Sequence, residues 1–151
     1  MTTRPFALQA LLKVALAEVD SAAASLGELN RQLQQQEQQL TLLLHYRADY
    51  QQRLRSATAS GLDCAGLRNF SEFMDRLELA IRQQHALIEE ARTRAGQGRD
   101  HWQAKRRKSK SFDTLSQRAT ASAMHEASCR EQKAQDDLAS RTARQRALAE
   151  R

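Results

Sequence analysis

Leucine and alanine recur along the first third of the chain in alternating steps of four and three. Twelve of the fourteen positions in this series are apolar, and the two exceptions are Gln36 and Arg47. A seven-residue repeat kept over this length indicates the seam of a left-handed coiled coil, because the stripe of an ordinary amphipathic helix drifts around its surface. We therefore predict a first helix over about residues 3–57, capped by Thr3 ahead of Pro5. The series consists of Leu8, Leu12, Ala15, Val19, Ala22, Leu26, Leu29, Leu33, Gln36, Leu40, Leu43, Arg47, Tyr50 and Leu54.

The repeat then fails, and a loop is predicted over about residues 58–68, where small residues with Gly61 and Gly66 replace leucine. Asn69, with a glutamate three residues later, is typical of the cap of a second helix, which we expect over about residues 69–145. The predicted seam of this helix consists of Phe70, Phe73, Leu77, Ala80, Gln84, Leu87 and Ala91, widened on one flank by Ile81, Ile88 and Ala95.

The sequence signals for a helix and for an apolar seam weaken along the second helix. Gly96 and Gly98 each cost about 1 kcal/mol relative to alanine inside a helix, so a bend is expected at residues 96–98. The apolar face then becomes sparser, through Trp102, Phe112, Leu115, Ala119 and Ala123. Beyond about residue 125 there is little to bury, and we expect the C-terminal end to fray or to need a partner.

These elements predict an all-α fold, a long antiparallel two-helix coiled coil (a helical hairpin) forming a single elongated domain over residues 1–151. A single reversal of the chain makes the helices antiparallel. Placing Leu54 opposite Phe73 leaves the second helix overhanging beyond about residue 122. With one proline and 5% aromatic residues, the chain has little from which to build a sheet or a globular core.

The net charge of +6 is concentrated in residues 92–118, which hold nine basic and two acidic residues. Such a stretch could meet nucleic acid, an anionic membrane or an acidic protein, and charge alone does not choose among them. The basic run lies inside the second arm of the hairpin and does not lead into a parallel zipper. We therefore interpret it as a solvated face or a patch facing an acidic protein, and expect no nucleic acid. The patch consists of Arg99, Lys105, Arg106, Arg107, Lys108 and Lys110.

Residues typical of catalysis are missing from the sequence. It holds no glycine-rich phosphate loop and no nucleophile signature, and a helical pair offers no deep cleft, so we predict no enzyme activity, no catalytic residues and no cofactor. His125 and Cys129 stand four residues apart on one helical face, but two ligands do not make a metal site. Cys64 and Cys129 show no disulfide pattern, which favours a reducing, cytoplasmic compartment. No stretch reaches 18 uninterrupted apolar residues, so no transmembrane segment is expected.

Two residues of the first helix flank the seam near the loop. Tyr46 and Gln39 each stand one position before a seam residue, so they can present an aromatic and an amide surface to a partner. The predicted register places Tyr46 across from Ile81, and Tyr50 across from Leu77. Two separate segments of the sequence are therefore expected to converge near the loop.

A set of residues spread along the chain carries a family resemblance: Leu43, Tyr46, Arg47 and Tyr50; Phe73, Leu77, Ala80 and Ile81; Arg99 and Trp102; and Glu131, Gln132, Lys133, Asp136 and Asp137. In this order and spacing the chain resembles the FliJ family, a soluble component of the bacterial flagellar type III export apparatus. The resemblance covers most of the length. It implies a stalk protein similar to the coiled coil of the rotary ATP synthase γ subunit.

The resemblance also implies partners. Members of the family insert their paired terminal ends into the hexameric ring of the export ATPase FliI, and they bind the cytoplasmic domain of the export gate protein FlhA and export chaperones. The gate-binding residues carried over to this chain are Gln39, Leu43, Tyr46, Tyr50, Phe73, Leu77, Ala80 and Gln84, where Gln84 replaces the family's histidine.

The expectation is a non-enzymatic part in flagellum biogenesis, and thereby in chemotaxis, in the cytoplasm and peripheral at the cytoplasmic face of the inner membrane. The stalk protein of a virulence type III secretion system and a basic helical hairpin that binds nucleic acid remain the alternatives.

Overall fold

The computed structural model of the chain describes residues 3–150, with side chains from residue 7 onwards. It contains two helices, α1 (Thr3–Ala59, 57 residues) and α2 (Cys64–Ala149, 86 residues), and the described residues hold no strand. The two helices pack against each other as an antiparallel pair, which confirms the predicted all-α helical hairpin. The predicted cap at Thr3 involves a side chain outside the described ones.

The seam of α1 follows the sequence pattern. All fourteen predicted positions are buried or half-buried, and between residues 7 and 59 only Glu18 and Ala57 join them. Ala15 and Ala22 are the most deeply buried, at 3% and 4% exposure. The two polar positions, Gln36 and Arg47, therefore face α2 and do not interrupt the seam.

Part of the observed seam of α2 lies one residue further along the chain than predicted. Ile81, Ile88 and Ala95 are buried, whereas Phe73 and Leu87 are 38% and 46% exposed. The prediction that Phe73 and Leu87 lie in the seam is therefore wrong. Both candidate stripes are apolar and only one residue apart, and the stripe with the β-branched isoleucines and the small alanine is the one that faces α1. The full seam consists of Phe70, Met74, Leu77, Ile81, Gln84, Ile88, Ala91, Ala95, Gly98, Trp102, Lys105, Ser109, Phe112, Ser116 and Ala119.

The connection between the helices is shorter than the predicted loop of residues 58–68. At the end of α1, Gly61 has a φ of +89°, a left-handed conformation that favours glycine, and its N–H donates to the Thr58 carbonyl at 3.2 Å. A carboxylate oxygen of Asp63 then accepts from the backbone N–H of Gly66 at 2.8 Å. Asp63 thus caps α2, which begins five residues ahead of the predicted cap at Asn69.

Close packing divides the described residues into two units, and both helices contribute to each. One unit spans Asp20–Ala104, and the other joins the residues up to Val19 with those from Lys105 onwards. The single elongated domain stays a prediction. Helix α2 is unbroken through Gly96 and Gly98, and the bend expected there also stays a prediction.

The last part of α2 has few contacts across the pair. From residue 120 to residue 150 every side chain is exposed except that of Cys129, which is half-buried. Met124, Leu138 and Leu148 are 69%, 68% and 74% exposed. This segment, which we call the C-terminal tail, is helical as far as Ala149 but offers its apolar side chains to solvent.

Candidate functional site

A shallow groove lies between the helices in the unit Asp20–Ala104. It encloses about 310 Å³ and is lined by Tyr46, Asp49, Tyr50, Arg53, Phe73 and Leu77. We call it the aromatic groove. Two of its aromatic side chains reach solvent, because Tyr46 is 53% exposed and Phe73 is 38% exposed. Exposed aromatic rings at one place are typical of protein docking surfaces.

The floor of the aromatic groove is a stack of rings from both helices. Tyr50 lies against Phe73 with ring centroids 3.9 Å apart, and against Phe70 at 5.5 Å in a tilted arrangement. The guanidinium of Arg53 lies 6.0 Å from the centre of the Tyr50 ring. Such contacts hold Tyr50 in place, so the groove is formed before any partner arrives.

The heptad repeat explains why these residues meet on one side. Tyr46 and Arg53 in α1 stand one position before a seam residue, and so do Phe73 and Leu87 in α2. In an antiparallel pair, residues at this position on both helices line the same side of the seam. Tyr46 and Phe73 therefore converge, although 27 residues separate them in the sequence.

The opposite side of the same unit is polar. There Arg92 forms an ion pair with Glu37 at 3.4 Å, and Arg47 reaches Glu78 at 3.2 Å. Leu44, at 36% exposure, is the apolar residue that this side presents in α1. The exposed aromatic rings of the groove thus lie on one side of the pair.

The structure brings four of the eight predicted gate-binding residues together in the aromatic groove: Tyr46, Tyr50, Phe73 and Leu77. Leu43 and Ala80 are half-buried in or beside the seam. Gln39 lies outside the groove, in an exposed amide surface with Gln35, Gln38 and the 52% exposed Leu42.

Gln84 is placed differently from the other predicted contact residues. It is only 6% exposed, and its side-chain amide donates to the Gln36 carbonyl at 2.9 Å and to Gln36 Oε1 at 2.7 Å. Its hydrogen-bonding capacity is therefore used within the helical pair.

Sequence reasoning missed three residues of this surface. Asp49 and Arg53 line the aromatic groove, and Leu42 extends the exposed apolar surface along α1. Arg53 could have been found from its spacing, since it stands seven residues after Tyr46 and shares its place in the repeat. Asp49 and Leu42 also stand one position before a seam residue, Tyr50 and Leu43, so the same spacing could have identified them.

The predicted basic patch is partly engaged within the chain. Lys105 Nζ lies 3.0 Å from Glu18 Oε2, and Lys108 Nζ lies 3.8 Å from the same oxygen. The hydrogen bond from Lys105, together with the charges of Lys105 and Lys108, lowers the pKa of the Glu18 carboxyl below its usual range. The half-buried Lys105 acts as a seam residue, its ammonium directed at Glu18.

The other basic residues are spread over both units. Arg106 and Lys110 line a second groove of about 460 Å³ with Leu12, Leu16, Val19, Ser109 and Asp113. Arg107 is exposed, and Arg99 belongs to the unit Asp20–Ala104. The six predicted residues therefore do not all belong to one unit.

The described residues form no cluster of metal ligands and no membrane-spanning helix. His125 Nε2 lies 3.6 Å from Cys129 Sγ, but nowhere in residues 3–150 do three or more His, Cys, Asp or Glu side chains group as metal ligands. Both cysteines are free. Neither α1 nor α2, over the part described, contains a stretch apolar enough to cross a bilayer.

The fold defines a helical-hairpin protein of the coiled-coil class, with open grooves along an antiparallel pair. Sequence comparison then gives the family. The profile described as "Flagellar FliJ protein" matches residues 4–148. The flagellar FliJ protein of Salmonella typhi is 32% identical over 137 residues, which cover 91% of this chain and 93% of the relative. The flagellar FliJ protein of Escherichia coli (strain K12) is 31% identical with the same coverage.

The chain belongs to the FliJ family of flagellar export components. This confirms the resemblance seen in the sequence. It also favours the flagellar reading over a virulence secretion system, since the family profile and both relatives carry the flagellar name.

Proposed function

We propose that this chain is a non-enzymatic coupling component of the flagellar type III export apparatus. Its terminal ends insert into the ring of the export ATPase FliI, and the aromatic groove binds the cytoplasmic domain of the export gate protein FlhA. Export chaperones are further partners. The protein works in the cytoplasm, at the cytoplasmic face of the inner membrane.

The observation that carries the gate-binding proposal is the exposure of Tyr46 and Phe73 on one side of the pair. Aromatic residues that are preorganised and partly exposed supply most of the binding energy at many protein interfaces. The stacked Tyr50 ring keeps Phe73 in position, so a partner would not have to order this side chain on binding.

The unit that joins the residues up to Val19 with those from Lys105 onwards, which we call the terminal unit, supports the proposed insertion into a ring. Residues 7–19 of α1 are apolar except for Gln9, Lys13 and Glu18. One side of this segment packs on α2, yet Leu11, Val14 and Leu16 remain 48%, 58% and 49% exposed. A helix that is apolar on all sides is usually buried on all sides. A partner that surrounds the helical pair, as a ring does, would cover these residues.

The gate-binding proposal is tested by Tyr46→Ala, with Leu79→Ala as the matched control. Leu79 is also half-exposed, at 50%, and lies away from both the seam and the aromatic groove. Truncation of a central aromatic contact typically costs about 2 kcal/mol, which is roughly a thirty-fold loss of affinity. We expect this loss for Tyr46→Ala, and an unchanged Kd for Leu79→Ala, in calorimetric titration with the FlhA cytoplasmic domain.

Circular dichroism of both variants should show wild-type helicity. Equal affinities of Tyr46→Ala and wild type would contradict the assignment of the groove. Equal losses for Tyr46→Ala and Leu79→Ala would point to a general effect of the substitutions and would also contradict it.

The nucleic-acid alternative gains no support from the geometry. Two of the six residues in the predicted basic patch, Lys105 and Lys108, lie close to Glu18. A third, Arg99, belongs to the unit Asp20–Ala104, whereas the others belong to the terminal unit. We expect binding of duplex and single-stranded DNA at physiological salt to be negligible. Sub-micromolar affinity with a steep salt dependence would revive this alternative.

A further inference from the structure

The seam of the unit Asp20–Ala104 contains one pair of glutamines from opposite helices. Gln84 donates its amide to the carbonyl and to the side-chain oxygen of Gln36, at 2.9 and 2.7 Å. Among the described residues, no buried side-chain nitrogen or oxygen lacks a partner. Gln84 Nε2 therefore finds two acceptors on Gln36, its backbone carbonyl and its side-chain oxygen, within an otherwise largely apolar seam.

This pairing exists in only one register of the helices. If one helix slid by a heptad, Gln84 would face Leu29 or Leu43, because those are the seam residues seven positions from Gln36. Gln36 would in turn face Leu77 or Ala91. The Gln84 amide, which is 6% exposed, would then lie against apolar side chains without these acceptors. This is costly because a buried polar group without a hydrogen bond has lost its hydration without replacement.

Around the glutamines, over residues 26–43 of α1 and 77–95 of α2, the apolar layers distinguish the registers poorly, since sliding by a heptad exchanges one leucine, isoleucine or alanine for another. The cross-helix ion pairs are weak selectors as well. Arg47 and Glu78 are 35% and 42% exposed at their side chains, and Glu37 and Arg92 are 47% and 56% exposed. Exposed pairs of this kind contribute little in water. The glutamine pair, in which Gln84 is buried, is therefore a stronger selector of register than these ion pairs.

We propose that Gln84 is a positioning residue for the docking surface: through its hydrogen bonds to Gln36 it sets the register that brings Tyr46 and Phe73 to one groove. A sliding step of seven residues is about 10 Å along the helix, so the aromatic groove exists only in the native register. A buried polar pair used in this way selects one arrangement at some cost in stability. The proposal rests on the function proposed above, in which the aromatic groove is the surface that binds FlhA.

The register can be read directly by cross-linking. In a full-length background with Cys64→Ser and Cys129→Ser, the pair Glu37→Cys with Arg92→Cys reports the native register, since these two side chains meet at 3.4 Å. Glu37→Cys combined with His85→Cys or with Arg99→Cys reports a slide of one heptad in either direction. A short bismaleimide should join the native pair and leave the two slid pairs at background.

The variant Gln36→Leu/Gln84→Leu keeps the seam filled and removes the pair. We expect its melting temperature to rise, its slid pairs to cross-link at least five-fold above background, and its affinity for the FlhA cytoplasmic domain to fall at least ten-fold. The control Gln34→Leu/Gln83→Leu changes two exposed glutamines in the same way and should match the wild type in all three measurements.

Two outcomes would overturn the proposal. Slid pairs that stay at background in Gln36→Leu/Gln84→Leu would show that other contacts set the register. A loss of FlhA affinity with only native cross-links would show that Gln84 acts by direct contact. If the wild type itself does not bind FlhA, the proposed function fails, while the cross-linking still decides the role of the glutamine pair in register.

Discussion

The ring of Tyr50 lies on the ring of Phe73, with centroids 3.9 Å apart and planes inclined by 22°. This stack joins the two helices near the loop. The sequence-based register placed Tyr50 across from Leu77 and placed Leu54 opposite Phe73. The observed partner of Tyr50 is thus one turn closer to the start of α2. Tyr50 thus packs within the helical pair, while the neighbouring Tyr46 is 53% exposed.

Replacing Tyr50 by alanine should destabilise the fold much more than replacing Tyr46. Tyr50→Ala removes a half-buried ring with two aromatic neighbours, and we expect the free energy of unfolding to fall by about 2–4 kcal/mol. Tyr46→Ala, at a position 53% exposed, should change it by no more than about 0.5 kcal/mol. Urea unfolding followed by circular dichroism measures both. A Tyr50→Ala variant as stable as the wild type would mean that the stack contributes nothing to the fold.

The ion pair at Glu18 should give the terminal unit a pH dependence. The pKa of Glu18 is lowered in the folded state by Lys105 and Lys108, so folding favours the ionised carboxylate. The resulting stabilisation is fully present above the ordinary glutamate pKa of about 4.3 and is lost as the pH falls through the lowered folded value. Glu18→Gln should therefore melt below the wild type at pH 7, and the difference should shrink in acid.

Thermal melts of Glu18→Gln between pH 7 and pH 3 measure this effect. Glu131→Gln, which changes an exposed glutamate in the C-terminal tail, is the control and should follow the wild type at every pH. A constant difference between Glu18→Gln and the wild type across this range would show that the charge of Glu18 is not the cause.

Two neighbouring glycines of α2 should respond differently to alanine. A Cβ at Gly96 would meet no atom within 4 Å, whereas a Cβ at Gly98 would lie 2.6 Å from Leu29 Cδ1 and 3.9 Å from Leu26 Cα. Gly96→Ala should stabilise the chain by up to about 1 kcal/mol, since alanine is the better helix former. Gly98→Ala should not stabilise the chain, because the close contact of the new Cβ with α1 offsets the better helix propensity of alanine. Equal increases in melting temperature would contradict the tight packing at Gly98.

How far the sequence predicts this structure depends on the helix. In α1 one stripe is apolar at twelve of fourteen steps from Leu8 to Leu54, and all fourteen of these positions are buried or half-buried. In α2 two apolar stripes run one residue apart, and Phe73 and Leu87 were assigned to the seam in place of Met74 and Ile88. Hydrophobicity along one helix cannot decide between such stripes, because the choice depends on the packing against the partner helix.

The same limit applies to the polar seam positions. The sequence shows that Gln36 and Gln84 both stand in seams, but the hydrogen bonds between them depend on the register. The start of α2 was misplaced for a local reason, since Gly66 was interpreted as a turn residue although Asp63 already supplies a cap. The aromatic groove could be predicted in outline, because the repeat places Tyr46 beside the seam, while its stacked floor could not.

The C-terminal tail should be dispensable for the fold and required for action on the ATPase. A variant ending at Ala123 removes side chains that are exposed except for Cys129, so we expect the melting temperature of the remaining chain and its affinity for FlhA to stay unchanged. Under the proposed function, stimulation of FliI ATPase activity should be lost, because the removed helix is part of the inserted end. Steady-state phosphate release with purified FliI measures this loss.

A second variant tests whether the apolar side chains of the C-terminal tail are needed, as distinct from its length. Met124→Gln/Leu138→Gln in the full chain keeps the helix but removes two side chains that are 69% and 68% exposed. If these residues pack against the ring, this variant should lose most of the stimulation while keeping wild-type helicity, since glutamine is also a good helix former. If the truncated chain lost FlhA affinity and stimulation together, the tail would instead be needed for folding, which the exposure of its side chains argues against.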